Sequence, residues 1–303
     1  MKRMLVHVVL LLGGAACIGV AASQQPQTPQ KIEVQKVKDN YYVLLSSTPG
    51  DAATFSGGNV GVFITNNGVV LVDTKLAMWG QTFLDTVKSV TNKPVTTIIN
   101  THTHADHTGN NERFSAMVDF VAHENTKANM MKMDAFKGDK AQFLPKRTYR
   151  DKMSLGSGAE RIDLYYFGPG HTNGDSFVMF PALRVLQTGD MFAWKDAPRI
   201  DRANGGSGVQ FPQTIAKALA ALKDVDTVVP GHSPLMTLKD LQEFQRYTAD
   251  LLAAVQDARK AGKSVDDAAA SIKLTEKYPG YKSERLKQAV QDIYDELNAG
   301  QTR

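Results

Sequence analysis

The stretch "NTHTHADHTGN", Asn100 to Asn110, places His102, His104, Asp106 and His107 within six positions of a chain that has seven histidines in 303 residues. No helical or alternating apolar rhythm runs through it, so burial alone does not explain it. In extended backbone, residues two apart face the same way. His102 and His104 can therefore reach one ion, Asp106 shares their side, and His107 projects elsewhere, toward a second ion. Imidazole and carboxylate ligands suit zinc, and also iron or manganese.

The flanking sequence places this stretch at a strand end. Tyr41–Leu45, Asn59–Thr65 and Val69–Val72 read as strands, with Asn66-Asn67-Gly68 as a hairpin turn. A helix is predicted from about Gly80 to Val90, with Phe83, Leu84, Val87 and Val90 on one side, followed by the β-branched strand Val95–Ile99. That strand–helix–strand order implies parallel neighbours in a sheet. Downstream, Val118–Ala122 reads as a strand and Asn125–Met133 as a helix, while 134–150 reads as an irregular, mobile loop. Strands resume at Arg161–Phe167, Ser176–Phe180 and Leu183–Leu186, and a helix at Gln213–Leu222 precedes the strand Val225–Val229.

Further metal-type residues recur at these strand ends. His171 lies in Gly168-Pro169-Gly170-His171-Thr172, Asp190 in Gly189-Asp190, and His232 in Pro230-Gly231-His232-Ser233. Glycine lets the backbone bend sharply and approach a ligand closely. His123, before a predicted helix and outside this set, reads as structural.

With Asp73 after a hydrophobic strand, the H-x-H-x-D-H string at 102–107, His171, Asp190 and His232, the chain resembles the metallo-β-lactamase superfamily over roughly Val34 to Leu235. The resemblance implies an α/β fold, a four-layer αββα sandwich with the metal site at one edge of its two sheets. It implies that His102, His104 and His171 bind a first metal and that Asp106, His107 and His232 bind a second. Asp190 would bridge both, and Asp73 would steady the histidine loop by hydrogen bonding. Two Zn(2+) per chain are expected, with Fe or Mn as alternatives. The chemistry implied is hydrolysis by a hydroxide held between two metals, with Asp106 as the catalytic group that orients the nucleophile and relays its proton.

Asp190 narrows the substrate. Many β-lactamases of this family carry cysteine or serine there, and a bridging aspartate is more typical of glyoxalase II enzymes, lactonases and phosphodiesterases. Ester, lactone or thioester hydrolysis of a small molecule is therefore the expected activity, with β-lactam or phosphodiester cleavage as alternatives. Export argues against glutathione thioesters. His104 stands where flavodiiron relatives have glutamate, which argues against oxygen reduction. Iron-dependent persulfide dioxygenases share much of the ligand set and stay as an alternative of another reaction class. Within Trp194–Gly208, predicted as a loop near the site, Lys195, Arg199 and Arg202 are candidates to meet an anionic substrate, and Asn204 to polarise a carbonyl. Met78 and Trp79 are candidates for an apolar substrate wall or for core.

The remaining sequence sets context. From Thr237 onward the pattern is helical only: Leu241, Phe244, Tyr247, Leu251 and Val255 form one apolar stripe, and Leu286, Val290, Ile293 and Leu297 another. Thr237-x-x-Asp240 and Ser264-x-x-Asp267 resemble capping boxes, and Gly262 marks a helix end. At the N-terminus, a basic Met1-Lys2-Arg3, the apolar Met4–Leu12 and the small residues Gly13–Ser23 read as a secretion signal cleaved near Ala22 or Ser23. The expected location is periplasmic or secreted, with no stable membrane association after cleavage. Cys17, the sole cysteine, lies within that signal, and "GAAC" is a faint lipoprotein site with Gly14 where a larger aliphatic residue is usual. The expected organisation is a signal peptide at 1–23, a Gln- and Pro-rich disordered spacer at 24–30, a catalytic domain at 31–235 and a helical extension at 236–303. A formal charge of +4 without basic runs argues against nucleic acid as a partner.

Overall fold

The computed structural model describes residues 31–46 and 54–299. The signal, spacer and Cys17 expectations lie outside the described residues. Strands β1 (Val34–Lys38), β2 (Tyr41–Leu44), β3 (Val60–Ile64), β4 (Val69–Val72), β5 (Val95–Ile99), β6 (Asp119–His123) and β7 (Arg147–Tyr149) form one sheet in that order. Strands β8 (Lys152–Leu155), β9 (Ile162–Tyr165), β10 (Phe177–Phe180), β11 (Val185–Gly189) and β12 (Thr227–Pro230) form a second, ordered β12-β11-β10-β9-β8.

Period-two alternation explains the layering. In β10, Val178 and Phe180 face a shared interior with Val70, Val72, Ile99 and Val121 of the first sheet. Phe177 and Met179 face outward into a second apolar cluster. In β4, Val69 and Leu71 likewise turn away from the shared interior and meet Phe83 and Val87 of helix α1 (Gly80–Val90). Strands buried on both faces need helices outside, and the result is helix, sheet, sheet, helix. The expected crossover is present: β4 and β5 pair in parallel on either side of α1.

Helices α2 (Ala105–Thr108) and α3 (Glu124–Met130) follow β5 and β6. The outer layer over the second sheet is built from α4 (Phe211–Ala221), α5 (Leu238–Lys260), α6 (Val265–Ser271), α7 (Leu274–Lys277) and α8 (Leu286–Ala299). Both predicted stripes point into it, with Leu241, Phe244, Tyr247, Leu251 and Val255 of α5 buried beside Leu286, Val290 and Ile293 of α8. Each such side chain contributes roughly 1.5–3 kcal/mol by burial. Thr237 and Asp240 form a reciprocal capping box at the start of α5, and Ser264 accepts from the Asp267 N–H at the start of α6.

The 134–150 segment differs from expectation. It holds two short 3-10 turns, Asp134–Phe136 and Gly138–Phe143, and then β7, and β8 begins the second sheet just beyond. β7 is an edge strand of three residues, too short for alternation to show in sequence. It is pinned by buried Tyr149, whose hydroxyl donates to Ser176 Oγ at 2.6 Å. The strand expected over Leu183–Leu186 begins at Val185, because Pro181–Leu183 forms a 3-10 turn and Arg184 takes a left-handed φ of 57°.

Candidate metal centre

Topology sends the metal-type residues to one edge. β9 and β11 both run antiparallel to β10, and β12 runs parallel to β11. The chain therefore leaves β9, β11 and β12 on the same side, carrying His171, Asp190 and His232. β4 and β5 deliver Asp73 and the histidine stretch to meet them.

The histidine stretch is extended only at its start. His104 has φ −64° and ψ 148°, and Ala105–Thr108 then closes one helical turn. This corrects the expected alternation: the turn carries Asp106 away from His102 and His104, to His107 and His232. Two groups of potential ligands result, His102, His104, His171 and Asp190 in one and Asp106, His107 and His232 in the other, with the donor atoms of each group within 4.8 Å of one another. Five of the seven histidines converge here. The Asp190 carboxylate spans the groups. Its Oδ1 lies 3.3 Å from His107 Nε2 and 3.2 Å from His232 Nε2, and its Oδ2 lies 3.6 Å from His171 Nε2.

Proton bookkeeping on the imidazoles shows that these groups suit cations. A neutral imidazole has one N–H and one lone pair. His171 Nδ1 faces the Arg199 carbonyl at 2.8 Å, and His104 Nε2 faces Asp201 Oδ2 at 2.6 Å. Both acceptors demand the proton on the outward nitrogen. The inward nitrogens, His171 Nε2 and His104 Nδ1, then confront each other at 2.9 Å as two lone pairs. His102 repeats the pattern: Thr101 Oγ1 donates to Asp73 Oδ2, so it accepts from His102 Nδ1 at 3.0 Å. His102 Nε2 is left buried without a hydrogen-bond partner. Converging lone pairs repel unless a cation lies between them, and outward partners of this kind fix the tautomer of metal-ligating histidines.

Electrostatics agree. Burial pushes His102 well below its ordinary value and His171 down to about 4, which keeps both neutral. Burial also disfavours charge on His107, but Asp106, Asp73 and Asp190 outweigh it and raise His107 well above the ordinary range, a proton that a cation would displace. For Asp190, burial acts upward and is overcome by His232 and His107, which hold the carboxyl well below the usual range.

Asp73 sits behind the two ligand groups. Its carboxylate accepts from Thr101 N and Thr101 Oγ1, both at 2.8 Å, and from His107 Nδ1 at 2.7 Å. Its own φ is 71°, a left-handed conformation that these bonds maintain. Sequence reading missed the rest of this frame. Asn110 Nδ2 donates to the carbonyls of Thr74 and Leu76, and Asn111 Nδ2 to Asn100 Oδ1 at 2.8 Å. The asparagines flanking the histidines thus lock the loop to the β4 end. Asp201 was also missed, since nothing in sequence links it to His104.

The groups open onto a cavity of ≈ 310 Å³ whose walls include Asp106, Asp190, His232, Phe55, Trp194 and Arg199. Of the four candidate substrate contacts, Arg199 lines this cavity. Lys195 instead pairs with Asp240 and Glu243 at 2.7 and 3.3 Å, because α5 presents both carboxylates to it. Arg202 reaches the Asp292 carbonyl at 3.3 Å, and Asn204 donates to Asp201 Oδ2 at 2.7 Å, so it acts behind His104 rather than on a substrate carbonyl. Trp79 is core, and Met78, 68% exposed, lines an adjoining groove. His123 is structural: it caps α3 by accepting from Asn125 N, reaches the Arg150 carbonyl at 2.8 Å and stacks on Tyr166.

The sequence profile of the metallo-beta-lactamase superfamily matches residues 53–232. The chain belongs to the metallo-beta-lactamase superfamily. Among relatives in the superfamily, it is 27% identical over 265 residues to the metallo-beta-lactamase type 2 of Elizabethkingia meningoseptica, covering 86% of this chain and 99% of that one. It is 30% identical over 187 residues to the 2,4-dinitroanisole O-demethylase subunit alpha of Nocardioides sp. (strain JS1661), covering 60% of this chain and 54% of the relative. Among solved structures, the metallo-beta-lactamase from Pontibacter korlensis superposes with a TM-score of 0.61 at 22% identity, covering 72% of this chain and 99% of that one, which supports the superfamily fold.

Proposed function

We propose that this chain is an exported two-metal hydrolase that cleaves ester, thioester or lactone bonds of small molecules, with zinc as its metal and iron or manganese as alternatives. The observation that carries the reading is the Asp190 carboxylate, which faces both ligand groups at once. Two divalent cations held there would supply Lewis acidity and bring the pKa of water close to neutrality.

The chain's own residues set the rest. His102, His104 and His171 would hold the first cation, and Asp106, His107 and His232 the second, with Asp190 shared between them. The Asp106 side chain is partly open to the cavity, with Oδ2 3.4 Å from His232 Nε2. It is placed to accept the proton lost by an attacking water and pass it to the leaving group. Phe55 and Trp194, each with its ring centroid 5.5 Å from that of His232, wall this side of the cavity. The cavity shares Leu76 and Ala105 with a more apolar groove of ≈ 300 Å³ lined by Met78, Met133 and Phe136. That groove suits an apolar arm of the substrate.

A second reading, β-lactam hydrolysis, draws support from the Elizabethkingia relative, which aligns over 99% of its length. A screen of the metal-loaded mature protein against lactones, aryl esters, thioesters, a cephalosporin and phosphodiesters separates the readings. Cleavage confined to the cephalosporin or to phosphodiesters overturns the preferred one. Metal analysis should find two metals per chain. One iron per chain with oxygen uptake on a persulfide would point to dioxygenase chemistry instead.

A further inference from the structure

Two arginines from distant parts of the chain line the cavity. Arg199 comes from the loop after Asp190, and Arg285 from the segment that enters α8. The second is held in place. Its guanidinium lies over the Trp194 ring, 4.1 Å from the centroid, and its backbone N–H is bonded by the Asp196 carboxylate. Nearby, Lys282 N donates to the Lys195 carbonyl at 2.9 Å, tying the segment before α8 to the loop that carries Trp194.

Neither arginine forms an ion pair among the described residues. Elsewhere Arg147, Arg150, Arg161 and Arg184 each meet a carboxylate. Arg285 is half-buried, and both its burial and the charge of Arg199 act against its proton. The carboxylates of Asp106 and Asp190 line the same cavity, but cations in the ligand groups would take up their charge. Asp196 and Glu284 still act on Arg285 from beyond ion-pair distance, so two guanidiniums would face one cavity with no carboxylate in direct contact among the described residues. An arginine fork matches carboxylate and phosphate oxygens, and such charge-assisted bonds are among the stronger ones.

We propose that Arg199 and Arg285 form a clamp for an oxyanion of the substrate, a carboxylate or a phosphate, so that the C-terminal helical layer takes part in substrate choice. This rests on the hydrolase reading for its kinetic arm only.

The test uses the metal-loaded protein and three matched esters: 4-acetoxybenzoate, 4-acetoxyphenylphosphonate and the neutral methyl 4-acetoxybenzoate. Wild type should prefer at least one anion over the methyl ester in kcat/KM by about 10-fold or more, the scale of a charged hydrogen bond. Arg285→Gln and Arg199→Gln should each collapse that ratio through KM, and Arg285→Lys should restore part of it. A merely structural role for Arg285, as a lid on Trp194, would lower all three rates and leave the ratio unmoved, which overturns the clamp. A second arm measures benzoate and phenylphosphonate binding by calorimetry. Binding of either that weakens about 10-fold in both glutamine variants supports the clamp and identifies the oxyanion. Binding that is absent, or equal in wild type and variants, overturns it. If no ester is cleaved but binding is lost in the variants, the hydrolase reading fails and the clamp stands.

Discussion

His102, His104 and His171 each have an acceptor behind the ring: Thr101 Oγ1, Asp201 Oδ2 and the Arg199 carbonyl. The other group is held differently. His107 leans on Asp73, whereas His232 Nδ1 lies 3.5 Å from Ser46 Oγ, with its ring beside Phe55 and Trp194. Asp106 rides on a four-residue helical turn and is partly open to the cavity. The first group is set before any ion arrives. In the second, His107 is buried and held as firmly, while Asp106 and His232 line the cavity. In this arrangement rigidity and access are divided between two ligand groups rather than balanced within one.

The Asp190 carboxylate lies in reach of both groups, so its loss should erase the comparison. Asp190→Asn keeps the shape and removes the charge. Activity on the best substrate of the screen should fall by several kcal/mol, on the order of 10³-fold, and elemental analysis should find fewer than two metals per chain. Wild-type stoichiometry and rate in this variant would sink the bridging assignment.

Smaller effects should divide the groups. Asp201→Asn removes the acceptor behind His104 and should weaken metal binding at the first group by about 10–100-fold, the range for outer partners of metal ligands. The second group should hold its ion in a chelator competition. Asp73→Asn should weaken both, because Asp73 holds His107 directly and His102 through Thr101. If Asp201→Asn releases both metals together, the groups are not independent and the comparison breaks.

How far this was legible in the sequence differs between the same two regions. The candidate ligands could be read because imidazole and carboxylate chemistry is carried by residue type, and because H-x-H-x-D-H packs it into one short run. The helical turn at Ala105–Thr108 could not, since a single turn leaves no periodicity, and alternation then put Asp106 with the wrong partners. Asp201, Arg285 and Lys75 were hidden for another reason. Each acts through a neighbour distant in sequence, and no local pattern marks it. The four-layer sandwich came from the resemblance carried by the motif set, the strand and helix order alone implying only a sheet with parallel neighbours, whereas β7 and β8 are too short and too near an edge to announce themselves.

The smallest expected effect concerns the wall of the second group. Lys75 is fully buried, with a φ of 62°, and its Nζ donates to the Leu45 carbonyl at 2.7 Å and Ser56 Oγ at 3.2 Å. It therefore ties Leu45 to Ser56, and their neighbours Ser46 and Phe55 lie against His232. Burial pushes its ammonium down to about 7, against the pull of Asp106. In the unfolded chain it titrates near 10.5. Between those values the unfolded state binds the extra proton, so stability rises with pH across that window. Lys75→Met retains the length and removes the titration. Urea midpoints of the metal-loaded protein at pH 7 and 9.5 should rise in wild type by more than in the variant. Part of any common rise reflects tighter metal binding as ligands deprotonate, and the difference between the two proteins isolates Lys75. Equal slopes would mean that Lys75 keeps its proton in the fold, and that the wall beside His232 is held by a charged rather than a neutral amine.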